Sequence, residues 1–150
     1  MKGRTYRYFD GEPLWPFGYG LSYTTFGYGD LVLPNSPLNA GDSLDAAVTV
    51  TNTGKTAGDE VVQFYLKFPD VPGAPMRALR GFQRIYLEPG AKQKVDFHLN
   101  PRDLSMVTEL GDIIVAQGKY TVSIGGGQPD TGVPSISGTF EVNGQIILPE

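Results

Sequence analysis

Along most of this chain apolar and polar residues alternate with a period of two, and few windows place apolar residues at i, i+3, i+4 and i+7. That periodicity belongs to strands, whose successive side chains point to opposite faces. From Ser43 to Thr51, Leu44, Ala46, Val48 and Val50 fall on one face and Asp45, Ala47, Thr49 and Thr51 on the other. Asn52-Thr53-Gly54-Lys55 has turn chemistry. The next run, Asp59 to Phe68, sets Val62, Phe64, Leu66 and Phe68 inward and Gln63 and Lys67 outward. After a Pro/Gly-rich loop from Pro69 to Pro75, the run Ala78 to Leu87 shifts its apolar phase between Phe82 and Ile85, which predicts a β-bulge near Gly81. Glu88-Pro89-Gly90 is a turn. Lys92 to Leu99 then alternates, with Val95, Phe97 and Leu99 inward and Asp96 and His98 outward. Asp112 to Ala116, Lys119 to Ile124, Ser135 to Val142 and Asp30 to Leu33 bring the total to about eight strands, separated by turns at roughly ten-residue spacing, the pattern of a two-sheet antiparallel sandwich. Tyr120, Val122 and Ile124 face inward, as do Ile136, Phe140 and Val142, and Gly118-Lys119-Tyr120 puts a tyrosine where such sandwiches keep a corner tyrosine.

Composition fits that architecture. At 150 residues, 40% hydrophobic and 19% charged, the chain is the size of one domain with one core. Its 20 glycines and 12 prolines fall mainly between the apolar runs, as punctuation for many turns. A net charge of −4 with no stripe of Lys or Arg gives a nucleic acid nothing to follow. No apolar run approaches the roughly 20 residues of a membrane helix. Without cysteine the fold rests on no disulfide or thiolate metal site. Met1-Lys2-Gly3-Arg4 opens no signal-peptide core, so any export signal is expected elsewhere.

The first 27 residues break the pattern. Tyr6, Tyr8, Phe9, Trp15, Phe17, Tyr19, Tyr23 and Phe26 crowd there among glycines and prolines without periodicity. Such a segment reads as an extended arm whose aromatic density calls for burial against a neighbour. The expected division is an arm over 1–27, a sandwich over 28–144 and a tail over 145–150.

Six stretches carry a resemblance. Tyr6-Arg7-Tyr8-Phe9 followed by the run from Pro13 through Trp15, Phe17, Tyr19 and Tyr23 to Phe26 resembles the segment that enters the last domain of family 3 β-glucosidases and β-xylosidases. Asn52-Thr53-Gly54, the run Gly58 to Tyr65, the run Leu79 to Gly90 and the run Gly118 to Gly125 are similar to that domain's own motifs, in its order, so that the resemblance covers about residues 4 to 142. It implies a fibronectin type III-like, immunoglobulin-like sandwich following a catalytic barrel and an α/β domain in an enzyme that removes β-linked glucose or xylose. The parent is expected in the periplasm or outside the cell. Retaining chemistry needs two carboxyl groups about 5 Å apart, and in the family both lie upstream, so no catalytic residue is carried over.

Other candidate chemistry is weak. Asp59 and Glu60 are neighbours on a strand and point to opposite faces; they and the pair Asp42 and Asp45 read as solvated turn charges. His98, the one histidine, lacks companions for a metal shell. Gly125-Gly126-Gly127 opens no helix that would cradle phosphate. Ser22 and Ser105 lack the partners of a nucleophile. No cofactor is expected. Tyr6, Tyr8, Trp15, Phe17, Tyr19, Tyr23 and Phe26 are candidates for domain docking or for stacking on sugar, docking being favoured; Arg77, Arg80 and Arg84 are candidate interface residues toward an acidic neighbour, a solvated face being the favoured reading. The expectation is an accessory domain whose partners are the upstream catalytic domains. The competing readings are a carbohydrate-binding module using Trp15, Tyr19 and Tyr23 on polysaccharide, and a free-standing interaction sandwich. Exposed arm aromatics would also favour self-association.

Overall fold

The computed structural model describes residues 7, 8, 14, 20 and 22–149. Among them there is no helix. Eleven strands follow one another: β1 (Phe26–Val32), β2 (Leu38–Asn39), β3 (Leu44–Asn52), β4 (Gly58–Lys67), β5 (Ala78–Leu87), β6 (Lys92–Leu99), β7 (Met106–Val107), β8 (Ile113–Val115), β9 (Gly118–Gly125), β10 (Ser135–Asn143) and β11 (Ile146–Leu148). They form a three-stranded sheet β1-β3-β6, a five-stranded sheet β2-β10-β9-β4-β5 and a small sheet β11-β8-β7. All pairings are antiparallel except β2 with β10.

The alternation expected for the long strands is the alternation observed. Leu44, Val48 and Val50 of β3, Val62, Phe64 and Leu66 of β4, and Tyr120, Val122 and Ile124 of β9 are fully buried, and Val95, Phe97 and Leu99 of β6 meet them in one core. Phe64 and Phe97 join the two large sheets with ring centroids 5.3 Å apart. The expected corner tyrosine is in place. Tyr120 Oη donates to the Ala116 carbonyl at 2.9 Å and accepts the Ala116 N–H at 3.1 Å, while its ring stacks on Phe140 at 5.2 Å. The bulge near Gly81 is present too: Phe64 pairs with Gly81 and Tyr65 with Leu79, which makes Arg80 the extra residue. Beyond β5, Gly90 takes φ +75°, a left-handed conformation that only glycine adopts without strain, and the Ala91 N–H closes the turn on the Glu88 carbonyl at 3.0 Å.

Gln63 departs from expectation. It lies on the side of β4 away from the core, yet it is 7% exposed, and Tyr65 beside it is 1% exposed. Tyr65 Oη donates to Gln63 Oε1 at 2.7 Å and Gln63 Nε2 to the Gly126 carbonyl at 3.2 Å. Buried Gly127, Gln128 and Pro129 belong to the loop after β9 that Gln63 holds. A polar pair thus faces chain instead of water. The stretch expected as a C-terminal tail carries β11, paired to β8 from Ile146↔Val115 to Leu148↔Ile113.

Candidate functional site

The arm reaches the sandwich at the end of β3. Asn52 is completely buried there and uses its whole amide. Its Nδ2 donates to the carbonyls of Thr56 and Leu87, both at 2.9 Å, and its Oδ1 accepts from Thr24 Oγ1 at 2.7 Å and from the Gly54 N–H at 3.0 Å. One side chain therefore ties the arm, the 53–57 turn and the end of β5 together, and the Thr53 N–H adds a bond to the Thr25 carbonyl at 2.8 Å. At its other end the arm gives the Arg7 carbonyl to the Met76 N–H, 2.8 Å away and just before β5. The two seats of the arm thus bracket β5.

Beside the Asn52 hub, Tyr28 of β1 donates its hydroxyl to Glu60 Oε1 at 2.5 Å, in a hollow of about 200 Å³ also bordered by Ser22, Thr24, Gly126 and Pro134. Burial holds the Glu60 carboxyl above the usual carboxylate range, partly offset by the Tyr28 hydroxyl. Burial, reinforced by Glu60, drives the Tyr28 phenol well above its ordinary value. Among the described residues lining this hollow Glu60 is the only carboxylate, so the paired carboxyl groups of glycoside hydrolysis are not assembled in it. Asp59 points the other way, where Arg84 bonds it at 2.9 Å and lowers its pKa.

The candidate residues named from sequence separate. Tyr6, Trp15, Phe17 and Tyr19 lie outside the described residues. Tyr8 is half-buried, Tyr23 is 99% exposed, and Phe26 opens β1 with its ring in this domain's own core. Arg77, Arg80 and Arg84 each meet a different partner: Arg77 the Pro129 carbonyl at 2.5 Å, Arg80 the Ser105 carbonyl at 2.5 Å and the face of Phe68, and Arg84 the Asp59 carboxylate. His98 lies on the exposed side of β6, 2.6 Å from Asp45. The described residues contain no group of three or more His, Asp or Glu placed to hold a metal, and no helix long and apolar enough to cross a membrane.

A second hollow, of about 400 Å³, lies over β4, β9 and β10, floored by Tyr65, Thr121, Ser123 and Ser137 and walled by Met76 and Pro129. Sequence reading found neither hollow, and it took Asn52 for turn chemistry alone. The signal available for Asn52 was an amide at a strand end whose register continues the buried face of Val48 and Val50.

Comparison with known proteins places these features in a family context. Residues 60–128 match the family model described as "Fibronectin type III-like domain". A protein named "Beta-xylosidase" from Formosa agariphila is 40% identical over 91% of this chain and 19% of its own length. "Probable beta-glucosidase D" from Aspergillus flavus is 39% identical over 90% of this chain and 20% of its own length. In solved structures, beta-glucosidase 3B from Thermotoga neapolitana superposes with a TM-score of 0.83 at 34% identity, over 97% of this chain and 19% of that one. The chain spans about a fifth of the relatives it matches.

Proposed function

We propose, from the premise that this chain belongs to the fibronectin type III-like domains of family 3 glycoside hydrolases, that it is a non-catalytic accessory domain that stabilises and orients the catalytic domains of a β-glucosidase or β-xylosidase. The observation that carries this reading is the Asn52 hub, where the buried Asn52 amide accepts the Thr24 hydroxyl and the neighbouring Thr53 N–H bonds the Thr25 carbonyl, fastening the end of the aromatic arm to the sandwich. An arm held that firmly can transmit the position of whatever precedes it, whereas a free linker would let domains move independently. Trp15, Phe17, Tyr19 and Tyr23 then serve as aromatic area buried between domains, the type of surface that dominates interface energetics.

The test uses the Formosa agariphila β-xylosidase with its matching segment deleted or exchanged for this chain. The expected outcome is that this chain alone hydrolyses neither aryl β-xyloside nor aryl β-glucoside, that deletion shortens the enzyme's half-life on heating, and that exchange restores it. Hydrolysis by the purified chain, or a deleted enzyme as durable as the intact one, overturns the reading. Loss of polysaccharide retention by the isolated chain on Trp15→Ala would support the binding-module alternative instead.

A further inference from the structure

The side of β4 and β5 turned away from the core divides into two halves. Toward the start of β5 it is covered, with Tyr65 and Gln63 buried. Toward the end it is bare. Asp59 pairs with Tyr86, Val61 with Arg84 and Gln63 with Phe82 across the ladder, so Val61, Phe82, Arg84 and Tyr86 share one face. Phe82 is 68% exposed, Tyr86 57% and Val61 42%, with the Arg84 to Asp59 ion pair between the two rings. Single exposed apolar side chains are ordinary, but adjacent ones on neighbouring strands make a patch. Aromatic residues and arginine are the types enriched where protein surfaces meet.

We propose that this face, centred on Phe82, Arg84 and Tyr86, is the surface on which the preceding hydrolase domain of the parent polypeptide seats. The inference rests on the accessory-domain reading and adds the place of contact. Two observations favour that occupant. The arm is fastened at both ends of β5, by Arg7 at Met76 just before the strand and by Thr24 through Asn52 to the Leu87 carbonyl at its end, so both seats of the arm flank the strand that carries the patch. A tether of this kind raises the local concentration of the two surfaces and allows a small patch to suffice. The relatives also hold about four-fifths of their length outside the matched segment, which supplies a partner of ample size. That partner's surface is expected to offer apolar recesses for two rings and polar groups around the Arg84 to Asp59 pair.

The experiment is the exchanged β-xylosidase carrying Phe82→Ser with Tyr86→Ser, compared with the unaltered exchange and with Lys92→Ser plus Lys94→Ser on the exposed side of β6. Because both rings are largely in water, the aromatic pair of changes is expected to shift the melting temperature of the free chain by no more than ~2 °C. In the exchanged enzyme it shortens the half-life on heating by about tenfold or more, while the lysine pair has no such effect. If the aromatic variant lasts as long as the unaltered exchange while deletion of the segment is harmful, this face is not the seat and the accessory reading stands. If deletion is harmless, or exchange fails to restore what deletion loses, both fall. Sedimentation showing a dimer of the free chain that the aromatic changes abolish would assign the face to a second copy, and xylan retention that they abolish would assign it to sugar; either result overturns the proposal.

Discussion

Replacing Asn52 by Asp changes almost nothing in shape and reverses the polarity of half the side chain. The Nδ2 group that donates to Thr56 and Leu87 at 2.9 Å becomes an oxygen facing two carbonyl oxygens. Each buried polar group left without its partner costs about 1 to 3 kcal/mol, so the pair costs roughly 4 kcal/mol. In a domain of this size each kcal/mol moves the melting temperature by about 2 to 4 °C, which gives a drop of about 8 to 16 °C. The pH dependence carries a sign. A carboxyl at this buried site is held above the ordinary aspartate value of about 3.9, and when protonated it returns one donor. Raising the pKa on folding means that the folded state binds the proton more tightly, so the deficit is smallest in acid and grows as pH rises through the folded value. Thermal melts at pH 5 and pH 8 are therefore expected to show the wider gap from wild type at pH 8. A gap of less than about 3 °C at pH 8, or one that narrows as pH rises, would refute the assignment of Asn52 as a hub. Thr24→Val removes only the arm's bond to Oδ1 and is expected to cost about 1 kcal/mol.

The remaining predictions concern the neighbours of that hub and the corner. Tyr120→Phe keeps the ring on Phe140 and deletes a hydroxyl that both donates to and accepts from Ala116; the expected cost, read from the denaturation midpoint, is about 2 to 3 kcal/mol. Burial pushes the Tyr120 phenol up to about 12, so its contribution is complete below the unfolded value near 10 and is lost as pH rises toward and through 12. The same variant should flatten alkaline unfolding without abolishing it, because Tyr28 is shifted in the same direction. Glu60→Gln keeps an acceptor for Tyr28 while removing a half-buried charge, so stability at pH 7 should hold or rise. The wild type's gain in stability on acidification through the raised Glu60 range should also vanish from melts taken across pH 4 to 7, a window set by the ordinary Glu value near 4.3. Gly54→Ala would drive a methyl group into Thr24 and the Thr25 backbone; limited proteolysis with mass analysis should show faster cutting of the arm while the rest of the sandwich resists.

Period-two patterning made the long strands legible because each has one face in the core and the other facing out. It missed β2, β7 and β11, where two or three residues are too few for a period to declare itself. The bulge near Gly81 was only partly legible, because the inversion falls at Arg80, before Phe82; Phe82 faces out and Ile85 in on regular alternation, so the shift expected between them is absent. Gln63 was misread for a different reason. Alternation reports which side of a strand faces the core, and a loop that folds over the far side leaves no trace in the strand's own sequence. Phe26 sits at a boundary where an arm rich in aromatics becomes a strand, so composition assigned it outward and register assigns it inward. Asn52 is the largest omission, because an Asn before Thr and Gly reads equally well as a turn residue, and only the approach of Leu87 from another sheet and of Thr24 from the arm reveals the four bonds it makes.

The two seats of the arm also set an order of events. Synthesis delivers Arg7 and Thr24 long before Met76 and Asn52, the groups that hold them. Hairpins such as β4 with β5 and β9 with β10 close short loops, whereas seating Arg7 on Met76 closes a long one and is expected to follow them. Within this domain the Arg7 end of the arm is made first and is fastened only once Met76, 69 residues later, has followed. During that interval its rings are open to chaperones and to other nascent chains, so the interval's length, more than the final stability of the sandwich, is expected to govern how much of the chain reaches its folded state.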